Sequence, residues 1–172
     1  LREQEANEEM GLIYSRLNYP DLEILENRLS LWDKSDDAAV FESGMSAIST
    51  VFLEFLEPGD LLLYSSPTYG GTDHFINHFL RKIGIESLGY SPNQTKEEIL
   101  EMIQSSGKAD NLGMIFIETP ANPTNQLVDI SLMSDIAKEF STEDKTVLVA
   151  VDNTYMGPLW QHPLEHGADL IL

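Results

Sequence analysis

The chain has 172 residues, 42% of them hydrophobic, enough for one domain with a continuous core and too few for two large ones. Twenty-nine acids against ten bases give a formal charge of -19, which disfavours nucleic acid and anionic membranes and points to a small molecule or a protein as partner. With no cysteine, neither a disulfide framework nor a thiolate metal site is available, and a reducing, cytoplasmic setting fits. No apolar run is long enough for a membrane span, and "LREQEANEEM" has neither the basic nor the apolar part of a signal peptide. The missing initiator Met and the apolar end "GADLIL" read as cuts, so an interior piece of a longer protein is expected.

In chain order, residues 1–19 read as an acidic arm. The segment "PDLEILENRLSLWDK" then places Leu22, Leu25, Leu29 and Trp32 on one helical stripe behind Pro20. "AAVF" predicts a strand, Ser46 to Phe55 a helix stopped by Pro58-Gly59, and "DLLLYS" a strand. "GTDHFINHFLRKIG" predicts a helix with Phe75, Phe79 and Leu80 on one face and Gly84 as its stop. Strand "IESLGY", helix "KEEILEMIQS", strand "LGMIFIE", helix "ISLMSDIAKEF", strand "TVLVAVD" and a final strand "ADLIL" follow, with no internal repeat. Helices and strands alternating at this spacing predict a three-layer α/β fold around a mostly parallel sheet. Ligands of such sheets collect at the carboxyl ends of strands, where "ESGM", "SSPTYGG", "ETPANPT" and "DNTY" converge.

Ser43-Gly44-Met45 opens an apolar helix, so it is either an anion seat built from backbone N–H groups or a plain tight turn. No Walker pattern and no GxGxxG is present, which argues against nucleotide triphosphates and dinucleotides. Tyr69 either lies flat over a planar ligand or caps the core. Asn122, in a loop held by two prolines, is either a rim donor and acceptor or bonded within its own loop. Asp152 ends the apolar run "VLVAV", and burial there disfavours an ionised carboxylate unless a cation or strong donors face it. A protonated pyridine nitrogen would serve, and a helix-capping role is the rival. Neighbours such as Asn153 or Thr154 would hold it otherwise. The pairs His74 and His78, and His162 and His166, have metal-like spacing, but Phe75 and Phe79, the absence of an acidic ligand motif and Pro163 argue against a metal.

Six ordered motifs, "YSRLNYP", "ESGMSAIS", "PTYGGT", "ETPANPT", "VDNTY" and "HPLEHGADLIL", resemble the Cys/Met metabolism family of pyridoxal phosphate enzymes. The family includes cystathionine γ-synthase, cystathionine γ- and β-lyases and methionine γ-lyase, and the likeness runs from Tyr14 onward. It implies the large domain of the aspartate-aminotransferase-like fold (fold type I) over residues 20–172, with active sites shared between subunits of a homo-oligomer, dimer or tetramer. It also implies pyridoxal 5'-phosphate as cofactor and a small sulfur amino acid as substrate. On that likeness Gly44 and Met45 give N–H groups to the cofactor phosphate, while Tyr14 and Arg16 reach the neighbouring subunit's phosphate and Ser15 between them is a further cofactor-binding residue. Tyr69 stacks on the ring and assists proton transfers as the catalytic residue of this stretch. Asn122 lies by the ring's oxygen edge, Asp152 pairs with the ring nitrogen, and Thr154 supports it.

The Schiff-base lysine of the family is expected shortly after Leu172, and neither Lys138 nor Lys145 stands in its context. The 172-residue chain is therefore expected to be inactive alone and to belong to a trans-sulfuration lyase or transferase. The rival is a non-catalytic domain that keeps the fold for assembly or loose cofactor binding. An unrelated nucleotide-binding α/β domain finds no phosphate motif to support it. Gly71 stands where strict methionine γ-lyases resembling the best-known examples carry a cysteine, and His74 where several γ-lyases carry an arginine, so a strict methionine γ-lyase is disfavoured.

Overall fold

The computed structural model describes residues 19–172. Tyr14, Ser15 and Arg16 lie outside them. The chain divides between Val40 and Phe41 into two compact units.

In the first unit, helix α1 (Pro20–Asp33) begins on a proline with Asp21 and Glu23 in its first turn, where the helix dipole favours acids. It ends as Lys34 turns left-handed (φ 55°) and donates its N–H to Ser30 O. The expected strand "AAVF" does not form. The Ala38 N–H binds Asp37 Oδ1 at 2.8 Å and the Val40 N–H binds Glu26 Oε1 at 2.9 Å, so side chains satisfy donors that a strand would give to a neighbour.

The second unit holds α2 (Gly44–Phe55), β1 (Leu61–Ser65), α3 (Gly70–His74), β2 (Glu86–Tyr90), α4 (Lys96–Ser105), β3 (Leu112–Glu118), α5 (Ile130–Phe140), β4 (Leu148–Asp152), α6 (Gly157–Trp160) and β5 (Leu170–Ile171). All strand pairs are parallel, in the order β2-β1-β3-β4-β5. Strand alternation sorts the core onto two faces. Leu61, Leu63, Ile115, Ile117, Val149 and Val151 pack with Ile99 and Ile103 of α4 and Met133 and Ile136 of α5. Leu62, Tyr64, Met114, Phe116 and Ala150 pack on the other side with Ile48 and Phe52 of α2 and with Ile76 and Leu80. Burial on both faces explains why β1 and β3 read as unbroken apolar runs.

Helix α3 runs on through a π turn (Phe75–Phe79) and a 3-10 turn (Leu80–Ile83), ending at left-handed Gly84. The buried stripe is Thr72, Ile76 and Leu80, not the expected Phe75, Phe79 and Leu80. The residue inserted by the π turn offsets the rotation that a four-residue spacing accumulates along an α-helix, and holds those three on one line. Phe79 stays 43% exposed, its ring stacked on Phe75 at 4.8 Å.

Strand β1 has β2 on one side and β3 on the other, so the winding reverses between β1 and β3. The carboxyl ends of these two strands border the crevice that such a reversal leaves open.

Candidate active site

The amino terminus of α2 and the turns after β1, β3 and β4 enclose one cleft of about 370 Å³. Six residues expected from the sequence meet there: Gly44, Met45, Tyr69, Asn122, Asp152 and Thr154. The Ser43 hydroxyl caps α2 by accepting the Ser46 N–H at 3.1 Å. The N–H groups of Gly44 and Met45 have no acceptor within the helix, and the space a Gly44 side chain would take is open. An anion therefore has free approach to that backbone.

Tyr69 immediately precedes α3, and its ring is 47% exposed. The ring leans on Gly71, where a Cβ would stand 2.6 Å from Tyr69 Cε1 and 3.1 Å from Met45 Sδ. Any side chain at position 71 requires the ring to move. On the opposite wall, the Asp152 carboxylate is 5% exposed and accepts both donors on one oxygen: Oδ1 takes the Thr154 N–H at 3.1 Å and the Thr154 hydroxyl at 2.5 Å. Burial pushes the Asp152 carboxyl above its ordinary value, the Thr154 bonds oppose that, and the Glu118 carboxylate beside it adds to the rise. The helix-capping alternative does not hold, because the next helix, α6, starts only at Gly157. Asn153 does not hold Asp152 either. Its amide donates to Gly157 O and Gln161 O, closing the loop that leads into and past α6.

Sequence reasoning missed Glu118. It ends β3 beside Asp152 in the β3–β4 ladder and lines the cleft while only 5% exposed. Its Oε2 accepts the Thr68 hydroxyl and the Tyr69 N–H, each at 2.5 Å, and its Oε1 accepts the Asn122 N–H at 2.7 Å. The available signal was an acid closing the apolar run "LGMIFI", the same signal that singled out Asp152. Two buried acids thus sit side by side in a cleft that, among the described residues, is lined by no lysine, arginine or histidine. His74 and His78 stack ring on ring at 4.3 Å on the surface, and among the described residues no three His, Asp or Glu side chains gather as a metal site.

The profile of the Cys/Met metabolism PLP-dependent enzymes matches residues 1–172. The chain belongs to this family. An L-methionine gamma-lyase of Pseudomonas deceptionensis is 35% identical over 97% of this chain and 39% of its own length. A cystathionine gamma-lyase of Bacillus subtilis is 35% identical over 99% of this chain and 42% of its own. Among solved structures, metB from Corynebacterium glutamicum superposes with a TM-score of 0.80 at 28% identity, over 92% of this chain and 38% of that one. The structure of metY from Campylobacter jejuni, which holds N'-pyridoxyl-lysine-5'-monophosphate, gives 0.82 at 31% identity over 95% and 37%. The chain therefore spans about two fifths of the length of the relatives it matches. As a member of the Cys/Met metabolism PLP-dependent enzymes it has the fold type I large-domain architecture, here a five-stranded parallel sheet.

The cleft fits the cofactor for which the family is named. A buried acid with no cationic side chain beside it among the described residues suits a protonated ring nitrogen, an open helix amino terminus suits a phosphate, and an exposed aromatic ring suits a flat heterocycle.

Proposed function

We propose that this chain is the cofactor-binding part of a pyridoxal phosphate-dependent lyase or transferase of sulfur amino-acid metabolism. Its substrates would be cystathionine, homoserine esters or methionine. The observation that carries this reading is the meeting of Asp152, Tyr69 and the α2 amino terminus in one cleft of a chain from this family.

Pyridoxal phosphate, when bound, supplies an electron sink for negative charge that develops at the substrate's α-carbon. The Gly44 and Met45 N–H groups would hold its phosphate, and Asp152, aligned by Thr154, would keep a proton on its ring nitrogen. Tyr69 would cover the ring and pass protons at its hydroxyl, with Asn122 on the oxygen edge. Tyr14 and Arg16 would serve the phosphate of a neighbouring subunit, with Ser15 between them a further cofactor-binding residue, which makes the full-length protein at least a dimer. Methionine γ-lyase and cystathionine γ-lyase relatives match equally well, at 35% each, which leaves the leaving group open. Gly71 argues against the strict methionine γ-lyase type, because a cysteine there would require the Tyr69 ring to move.

The test is the full-length protein. Purified with cofactor, it should be yellow and should either release a keto acid from at least one of the three substrate classes or, supplied with a thiol, replace the γ-substituent of a homoserine ester; a colourless protein inert in both assays overturns the reading. A second reading rests on the lack of any lysine in the cleft lining among the described residues: the 172-residue chain alone serves as a binding scaffold. Turnover by that chain alone would remove it.

A further inference from the structure

Glu118 has a place in this site that neither Tyr69 nor Asp152 explains. It is 5% exposed, it lines the cleft, and it enters none of the ion pairs found among the described residues. A buried carboxylate without a cation needs strong donors, and it has three. They come from two separate turns: Thr68 and Tyr69 after β1, and Asn122 after β3. The Glu118 main chain is fixed as well, because its N–H donates to Ser65 Oγ at 2.9 Å, at the end of β1.

We propose that Glu118 is the positioning residue of this site, one buried carboxylate whose two oxygens hold the Tyr69 turn and the Asn122 turn together across the reversal between β1 and β3. The proposal deepens the cofactor-binding reading above and rests on it for the ligand. Oε2 fixes where the backbone of Tyr69 leaves the sheet, and with it where the ring stands. Oε1 fixes the backbone of Asn122, four residues along its own chain. With both oxygens accepting from fixed donors, Glu118 is bound into the wall of the cleft and acts through the residues it holds. No single turn achieves this, since each of the two begins where its strand's ladder ends.

The two oxygens make the test directional. Glutamine keeps the size but offers one acceptor oxygen, and its NH₂ group faces a donor on the other side. Two donors favour the amide oxygen at the Oε2 place, so Glu118→Gln should keep the Tyr69 amide and release that of Asn122. Hydrogen exchange on the full-length, cofactor-free protein reads this directly. The Asn122 amide should exchange about tenfold faster in Glu118→Gln, with Tyr69 near its wild-type rate. Both amides should speed up in Glu118→Ala, and if that variant does not fold, the glutamine variant carries the test alone.

In the same Glu118→Gln protein, the pyridoxal phosphate dissociation constant should rise about tenfold, and the visible circular dichroism of the bound cofactor should change. Combined with Asn122→Ala, Glu118→Gln should add less than about twofold to the dissociation constant, because Glu118 acts on the cofactor through the Asn122 side chain that it positions. Wild-type exchange at both amides in Glu118→Gln, or full additivity with Asn122→Ala, overturns the positioning role. Released Asn122 exchange in Glu118→Gln, with a wild-type protein that binds no pyridoxal phosphate, supports the clamp and overturns the cofactor reading instead.

Discussion

Asp152 shows at the level of one residue how an acid buried in a cleft works against stability. Its carboxyl is held above its ordinary value of 3.8 by burial, and the Glu118 carboxylate beside it adds to the rise. The native protein then binds this proton more tightly than the unfolded chain does. The contribution of Asp152 to stability therefore falls as pH rises from the unfolded value to the raised native value, and stays at its lower level above that. Asp152→Asn removes the titration while its side-chain oxygen still accepts from Thr154. In the cofactor-free full-length protein, the variant should match the wild type in acid and exceed it in Tm at pH 7, yet bind pyridoxal phosphate more weakly. A variant less stable than wild type at pH 7 would show that the buried carboxylate is satisfied by its own neighbours. Asp152 was legible in the sequence because an acid ending an apolar run is costly. Glu118 ends such a run too, but its meaning lies in Thr68 and Tyr69, some fifty residues away, and no local pattern reports that.

Among the elements, α4, β3 and α5 coincide with the segments expected from the sequence, because each carries local signals that tertiary structure does not oppose. Thr95 and Glu98 close a capping box on α4, and Asp129 caps α5. The strand "AAVF" failed for the opposite reason: apolar composition favours a strand only where a neighbouring strand accepts its N–H groups, and here Asp37 and Glu26 do so. The π turn was hidden because an α-helical period cannot show an inserted residue. Gly167, inside the motif "HPLEHGADLIL", closes the 3-10 turn Pro163–His166 in a left-handed conformation (φ 89°). A Cβ there would stand 2.9 Å from Ser134 Cβ on α5, besides meeting Ser134 Oγ. Gly167→Ala should cost about 1–3 kcal/mol, read as a lower urea midpoint of the full-length protein. Adding Ser134→Gly should recover the steric share and leave the backbone share. An unchanged midpoint for the single variant would mean that α5 moves aside freely.

Over the whole second unit, stability and chemistry occupy different places. The two apolar faces of the sheet hold the fold, while the rim above β1, β3 and β4 gathers two buried acids, an open helix end and a half-exposed tyrosine. The order of the rim loops was readable because each follows a strand or opens a helix marked by its own period. The register of the strands, and the bonds that join one loop to another, are set by packing between distant segments and left no local trace. On the proposed function, this division makes the cofactor a structural component as well as a reagent. Anything that binds only the folded cleft raises stability by mass action, by about 2.7 kcal/mol when present at one hundred times its dissociation constant. Adding pyridoxal phosphate to the cofactor-free full-length protein should therefore raise Tm progressively with concentration. The same concentrations should raise it less in Asp152→Asn, whose cleft lacks the charge proposed to complement the ring nitrogen. A wild-type Tm unmoved across that range would place the cofactor outside the folded cleft, and equal gains in both proteins would remove Asp152 from its binding.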